Sequence, residues 1–193
     1  PGERQTVARL GFHWAKQSGD IDQLNFFSER LDSYPVSDFE SAAARLEALE
    51  AWQSLKTIFN KTENLDLESQ PGLYYSLLVE LYSDPGEDFV MRVNEQLDRA
   101  VEAESVYGPR YQRLLGDYYY RQENYDRAAI EYHKVMLLFE ENDQVPRARV
   151  KMARIYSEDG QQARAQKLYE QLTGENIPEL IRKEAELWLE KNS

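Results

Sequence analysis

Leu115-Gly116-Asp117-Tyr118-Tyr119 and Met152-Ala153-Arg154-Ile155-Tyr156 are one pattern written twice, 37 positions apart. The register continues downstream, where Ala128 answers to Ala165 and Tyr132 to Tyr169. Self-similarity at a period of this size is the signature of helical hairpins stacked in an array. Leu114, Leu115, Tyr118 and Tyr119, then Ile130, Tyr132, Val135, Met136 and Phe139, form wide apolar stripes. A hairpin cannot bury two such stripes alone, so the next hairpin supplies the missing contact.

The rest of the chain reads the same way. Strand-like alternation is absent and helix start signals recur. Asp84-Pro85-Gly86-Glu87 and Ser37-Asp38-Phe39-Glu40 read as capping boxes. Asp20 and Asn124 are placed to cap helices starting at Ile21 and Tyr125. Gly108-Pro109 and Ile177-Pro178 read as two more helix starts. Gly19 separates helices 4–18 and 21–33, Pro35 ends that pair, and Asp159-Gly160 separates 146–158 from 161–173. Ala42 to Phe59 has no turn residue between its two expected helices, so one long helix is the alternative there, while the polar stretch 61–70 reads as a loop. Leu73–Tyr82 and Phe89–Ala103 make a hairpin with a degenerate pattern. The reading is all-α with about eleven helices. Repeats fall near 4–36, 37–70, 71–107, 108–144 and 145–177, with a capping helix at 178–191, in a single domain spanning 1–193.

Bulk properties narrow the function. The 193 residues carry 35 acids against 23 bases, a net charge of −12. A general nucleic-acid binder needs a basic face, so that class is disfavoured, as is adsorption to anionic lipid. The longest aliphatic-aromatic run, Val135 to Phe139, falls far short of a membrane span. With no cysteine there is no disulfide, thiolate metal site or cysteine nucleophile. This leaves cytoplasm and periplasm equally open. The chain starts at Pro1 without a methionine, which reads as a processed or excised piece.

The residues already quoted resemble the tetratricopeptide repeat (TPR) family. Its first helix carries a large residue and then Leu-Gly-x-x-Tyr, and its second carries Ala and an aromatic. Leu115-Gly116-x-x-Tyr119 with Ala128 and Tyr132 matches, as does Met152-Ala153-x-x-Tyr156 with Ala165 and Tyr169. A third copy, Leu10-Gly11-Phe12-His13-Trp14 followed by Phe27 and Pro35, has Gln23 where a small residue belongs. Residues 36–107 depart from the pattern. The resemblance implies a right-handed superhelix of antiparallel hairpins whose first helices line a concave face. It also implies a bacterial envelope setting as one option, by analogy alone.

Candidate chemistry is sparse. His13 and His133 have no partner at metal-ligand spacing and read as structural. No nucleophile elbow, phosphate-cradling glycine loop or zinc signature is present. Acidic pairs such as Glu87-Asp88, Glu140-Glu141 and Glu158-Asp159 read as solvated faces, and most of the thirteen tyrosines as packing residues. The expectation is therefore a protein that is not an enzyme and needs no cofactor or metal.

Charge supplies the lead. Residues 61–104 hold eleven acids and three bases, whereas 145–169 hold six bases and two acids. On the first helices, a 3-4-3 spacing puts Arg110, Arg113, Asp117 and Tyr120 on one side, then Arg147, Val150, Arg154 and Ser157. Four arginines around a tyrosine suit carboxylates of a partner protein or peptide. The bland alternative is that these arginines pair with the protein's own acids. The subclass of TPR domains that grips a C-terminal carboxylate needs Lys and Asn here. Arg113, Asp117 and Lys151 stand in those places, so that assignment is rejected. The expected function is a scaffold or adaptor holding a partner on residues 108–157. The alternative is a helical accessory region of a larger enzyme or envelope assembly, packed through its outer surface.

Overall fold

In a computed structural model, the structure describes residues 2–49, 51–62, 75, 79, 88–105, 107–140 and 142–192. These residues form ten helices and no strand. The chain divides into two compact units, Pro1–Tyr82 and Ser83–Ser193. Asp84-Pro85-Gly86-Glu87, most of the 61–70 loop and most of the expected helix 73–82 lie outside the described residues.

The first unit contains α1 (Gly2–Ser18), α2 (Ile21–Arg30), α3 (Val36–Ala48) and α4 (Trp52–Asn60). Gly19 turns the chain at φ +76°, a conformation that favours glycine. Asp20 then caps α2, accepting from the Gln23 N–H at 3.0 Å. The first helix meets the second where Gly11 lies under the Phe27 ring, since a Cβ there would come within 2.3 Å of it. Phe12, Ala15, Leu24, Phe39, Leu46, Leu55 and Ile58 form the core.

Of the two readings of Ala42 to Phe59, the structure has two helices, α3 ending at Ala48 and α4 starting at Trp52, with the Ala51 N–H reaching back to the Leu46 carbonyl. At about 100° per residue, Leu46 and Leu55 would point to opposite sides of one straight helix. Both are fully buried in one core, so the break follows from packing in the absence of any turn residue. One expectation is corrected here and concerns Ser37, expected as a cap. It lies inside α3, which starts at Val36, and its hydroxyl bonds the neighbouring Asp38 carboxylate.

Lys61, expected in a loop, ties two helix ends together. Its ammonium donates to the carbonyls of Ser28, Glu29 and Leu31 at 3.0, 2.7 and 2.5 Å. Its own carbonyl accepts from the Tyr34 N–H at 2.9 Å. A cation on the C-terminal carbonyls of α2 satisfies groups the helix cannot satisfy itself, and the helix dipole favours it. Lys61→Met is expected to cost about 2 kcal/mol, read by urea denaturation. A cost below about 0.5 kcal/mol is the result for a solvated lysine.

The second unit contains α5 (Phe89–Glu102), α6 (Gly108–Arg121), α7 (Tyr125–Leu138), α8 (Gln144–Glu158), α9 (Gln162–Glu170) and α10 (Glu179–Asn192). Each helix packs on the next, and alternate helices α6, α8 and α10 also touch in turn. Three-residue turns make α6–α7 and α8–α9 antiparallel pairs. Helices α5, α6 and α8 end in one way: the N–H of Ser105, Asn124 or Gln161 reaches the carbonyl of Ala100, Tyr119 or Tyr156. This Schellman closure needs a left-handed residue just before the donor. Gly160 fills that place at φ +73°, and Glu104 and Glu123 fill it at φ +49° and +57°. As expected, Asn124 caps α7 through the Arg127 N–H, and Pro109 sits in the first turn of α6.

Tyr132 is fully buried and lies over Gly116, where a Cβ would come within 2.6 Å of the ring. Ala153, Ala165 and Tyr169 share one buried cluster and are at most 2% exposed.

Candidate functional site

The eight residues expected on the first helices share α6 and α8, but most of their chemistry is turned inward. Arg113 and Asp117 are 5% and 2% exposed. Their side chains form an ion pair one helical turn apart. The Arg113 Nε also donates to the Gln144 amide oxygen at 2.7 Å, and the Tyr132 hydroxyl donates to Asp117 at 2.8 Å. This four-residue network joins α6, α7 and the start of α8. The expectation that Arg113 stands ready for a partner's carboxylate is therefore corrected. Burial of Arg113 and Asp117 together turns that cation toward Asp117 and Gln144. Val150, 2% exposed, belongs to the core formed with α9 and α10.

Arg154 and Ser157 are held by the last helix. The Arg154 guanidinium grips the Glu184 carboxylate with two donors, Nε at 2.7 Å and Nη2 closer still. The Trp188 indole N–H donates to the Ser157 hydroxyl at 3.0 Å, and its ring stacks on Tyr169 at 4.6 Å. Helix α10 thus lies against the same side of α8 that the sequence assigned to a partner.

Five of the eight are half-buried, Arg154 and Ser157 against the last helix and Arg110, Tyr120 and Arg147 elsewhere on the row. Tyr120 donates its hydroxyl to Glu158 at 3.3 Å, with the Lys151 ammonium 5.2 Å from its ring centre. Arg110 and Arg147 lie near the N-terminal ends of α6 and α8. The row is therefore basic at its start. At the other end is a cavity of about 680 Å³ lined by Glu123, Asp126, Glu158 and Asp159 with Tyr125 and Tyr156. Among the described residues no three His, Cys, Asp or Glu side chains gather as a metal-binding set. His133 is exposed, and His13 is exposed and bonded to Gln17 at 3.0 Å.

Sequence reasoning missed Gln144, Glu184 and Trp188, each about thirty positions from its partner. It also missed Arg149, whose Nε is buried without a hydrogen-bond partner among the described residues. Burial lowers its pKa. No local spacing signals contacts of this separation.

Burial also shifts three tyrosines. Tyr34, Tyr120 and Tyr169 are each pushed up to about 12, first by desolvation and then by nearby carboxylates. The unfolded chain loses these protons near 10, so the folded state holds more protons above that value. Stability is expected to be complete below pH 10 and to fall as pH rises from 10 through 12. Thermal melts across that window check it, and Tyr169→Phe should flatten the slope.

Among the described residues no helix is long and apolar enough to cross a membrane. Set against family models, curated proteins and solved structures, the chain matches none, so its function is argued from its own geometry.

Proposed function

We propose that this protein is a TPR-type scaffold, a right-handed superhelical array of hairpins that holds a partner protein. The observation that carries this reading is the seam repeated at one spacing. Gly11 with Phe27, Gly116 with Tyr132, and Ala153 with Tyr169 each pair a small residue with a ring 16 positions on. Within the second unit such seams let α6 and α8 lie side by side as a wall. The wall is stiffened by Arg113–Asp117 and Arg154–Glu184, so little ordering entropy is lost when a partner binds. The partner contacts fall on the half-buried members of the row away from the last helix, Arg110, Arg147 and Tyr120, with Lys151 beside them. Two arginines at the row's start suit an acidic segment of the partner.

Immobilised protein is expected to retain a stoichiometric partner from an extract of the source organism. The double variant Arg110→Glu/Arg147→Glu is expected to weaken that binding at least about tenfold while the melting temperature holds. Equal binding by both proteins defeats the assignment of the row. A second reading, an accessory region packed through its outer surface, is favoured by Ile130, Leu137 and Leu138. These lie on α7 at 55, 70 and 66% exposure. Leu137→Glu would break such an assembly and leave the row intact.

A further inference from the structure

The arginines of α6 and α8 are engaged within the protein, with one exception. Arg113 pairs with Asp117 and Arg154 with Glu184, and Arg110, Arg121 and Arg147 also have partners. Arg149 does not. Its Nε is buried without a hydrogen-bond partner, and among the described residues no carboxylate, carbonyl or ring engages its guanidinium. The residue as a whole is half-buried, so its charge sits at the rim of the core. The repeat shows where an internal partner would stand. Arg149 lies 37 positions after Gln112, whose amide donates to the Glu131 carboxylate of α7. The position equivalent to Glu131 is Leu168 of α9, which packs against the core instead. One turn away along α8 stand Val145, Pro146, Met152 and Ala153, whose side chains accept nothing. Burial lowers the pKa of the group, and no neighbouring charge offsets that. A half-buried cation without a counter-ion is costly, and this one is unpaired in a chain of 35 acids and 23 bases. A polar group left in that state is accounted for by an anion that arrives from outside.

We propose that Arg149 is a seat for a carboxylate, supplied by an acidic side chain of the partner protein. This rests on the reading that a partner with an acidic segment lies at the start of α8, and it names the anchor of that segment. Arg147 and Lys151 flank Arg149 in sequence, and together the three cations draw an acidic chain toward this end of the helix. At about 100° per residue, Arg149 stands on the other side of α8 from Arg147, so the seat can be tested separately from the row. The pair it forms is one this helix already makes, where the Arg154 guanidinium grips the Glu184 carboxylate with two donors. One guanidinium balances one carboxylate. A phosphate dianion needs further donors, which no side chain one turn away supplies.

The test follows the arginine Nε–H signals of the full chain by nuclear magnetic resonance, at slightly acidic pH, as acetyl-tetraglutamate amide is added. The signal missing from Arg149→Met identifies Arg149. The expected result is a saturable shift of that signal, while the signal of Arg154, committed to Glu184, stays in place. In Arg149→Met the affinity, read from the backbone amides of α8, falls at least about fivefold and the melting temperature does not fall. An Arg149 signal that stays still, or moves no more than that of Arg154, overturns the seat. A melting temperature lowered by Arg149→Met also overturns it, because the residue would then have a role inside the fold. Inorganic phosphate that shifts the signal as far as the peptide does at equal concentration gives the site to a free anion and overturns the partner's side chain. The double variant Arg110→Glu/Arg147→Glu separates the two readings. Loss of peptide binding in it alone keeps the row and overturns the seat, and loss in Arg149→Met alone keeps the seat and removes the row.

Discussion

Replacing Arg113 with methionine is expected to destabilise the second unit by about 3–5 kcal/mol. The carboxylate of Asp117 is 2% exposed and, without Arg113, loses the cation paired with it and keeps the hydrogen bond from the Tyr132 hydroxyl. A buried charge stripped of its counter-ion costs more than the pair itself contributes. The double variant Arg113→Met/Asp117→Asn separates the two quantities. It removes both charges and leaves an amide oxygen to accept from Tyr132. Most of the lost stability should return in the double variant, so it should be more stable than Arg113→Met alone. Urea denaturation followed by circular dichroism reads both. A loss below about 1 kcal/mol for the single variant would mean that the pair is solvated, and the row would again be open to a partner at Arg113.

The second large effect sits one seam away. Tyr132→Ala is expected to cost about 3–5 kcal/mol, because the ring is fully buried and its removal leaves a hole between α6, α7 and α8. The opposite change, Gly116→Ala, tests the same contact from the other side. Alanine is worth up to about 1 kcal/mol over glycine in a helix. A Cβ at 2.6 Å from the Tyr132 ring forces the helices apart, which costs about 1–3 kcal/mol. The net expectation is a loss, measured in the same denaturation experiment. A stabilised Gly116→Ala variant would show that the seam has slack. At the corresponding place in the next hairpin the chain carries Ala153, buried in one cluster with Tyr169.

What could be read from the chain beforehand was what local chemistry decides. Gly19, Gly160, Asp20 and Asn124 act where they stand, through a left-handed backbone or a side-chain cap, and each was placed correctly. The small-residue and ring positions were legible because they recur. The break at Leu49–Ala51 was not legible, because no residue there prefers a turn. It exists only so that Leu46 and Leu55 can share a core. Lys61 escaped for the same reason, since its three carbonyl partners lie about thirty positions away. The candidate row was legible in direction and not in depth. A 3-4-3 spacing tells which side of a helix a residue occupies, but not how closely another helix covers that side. Arg113 and Asp117 were placed on one side correctly, yet Gln144 and Tyr132 close over them. Arg154 likewise meets Glu184, on a helix that read only as a cap.

The stacking of Trp188 on Tyr169 gives the second unit an optical label of its own. The other two indoles, Trp14 and Trp52, both belong to the first unit, and Trp14 is more than half exposed. Trp188 emission, with its ring 4.6 Å from Tyr169, therefore reports detachment of α10 from α9, while Trp14 emits as a water-bathed indole whether or not that helix is seated. With Trp52→Phe, spectral deconvolution alone would distinguish melting of one half of the chain from melting of the other, without any attached dye.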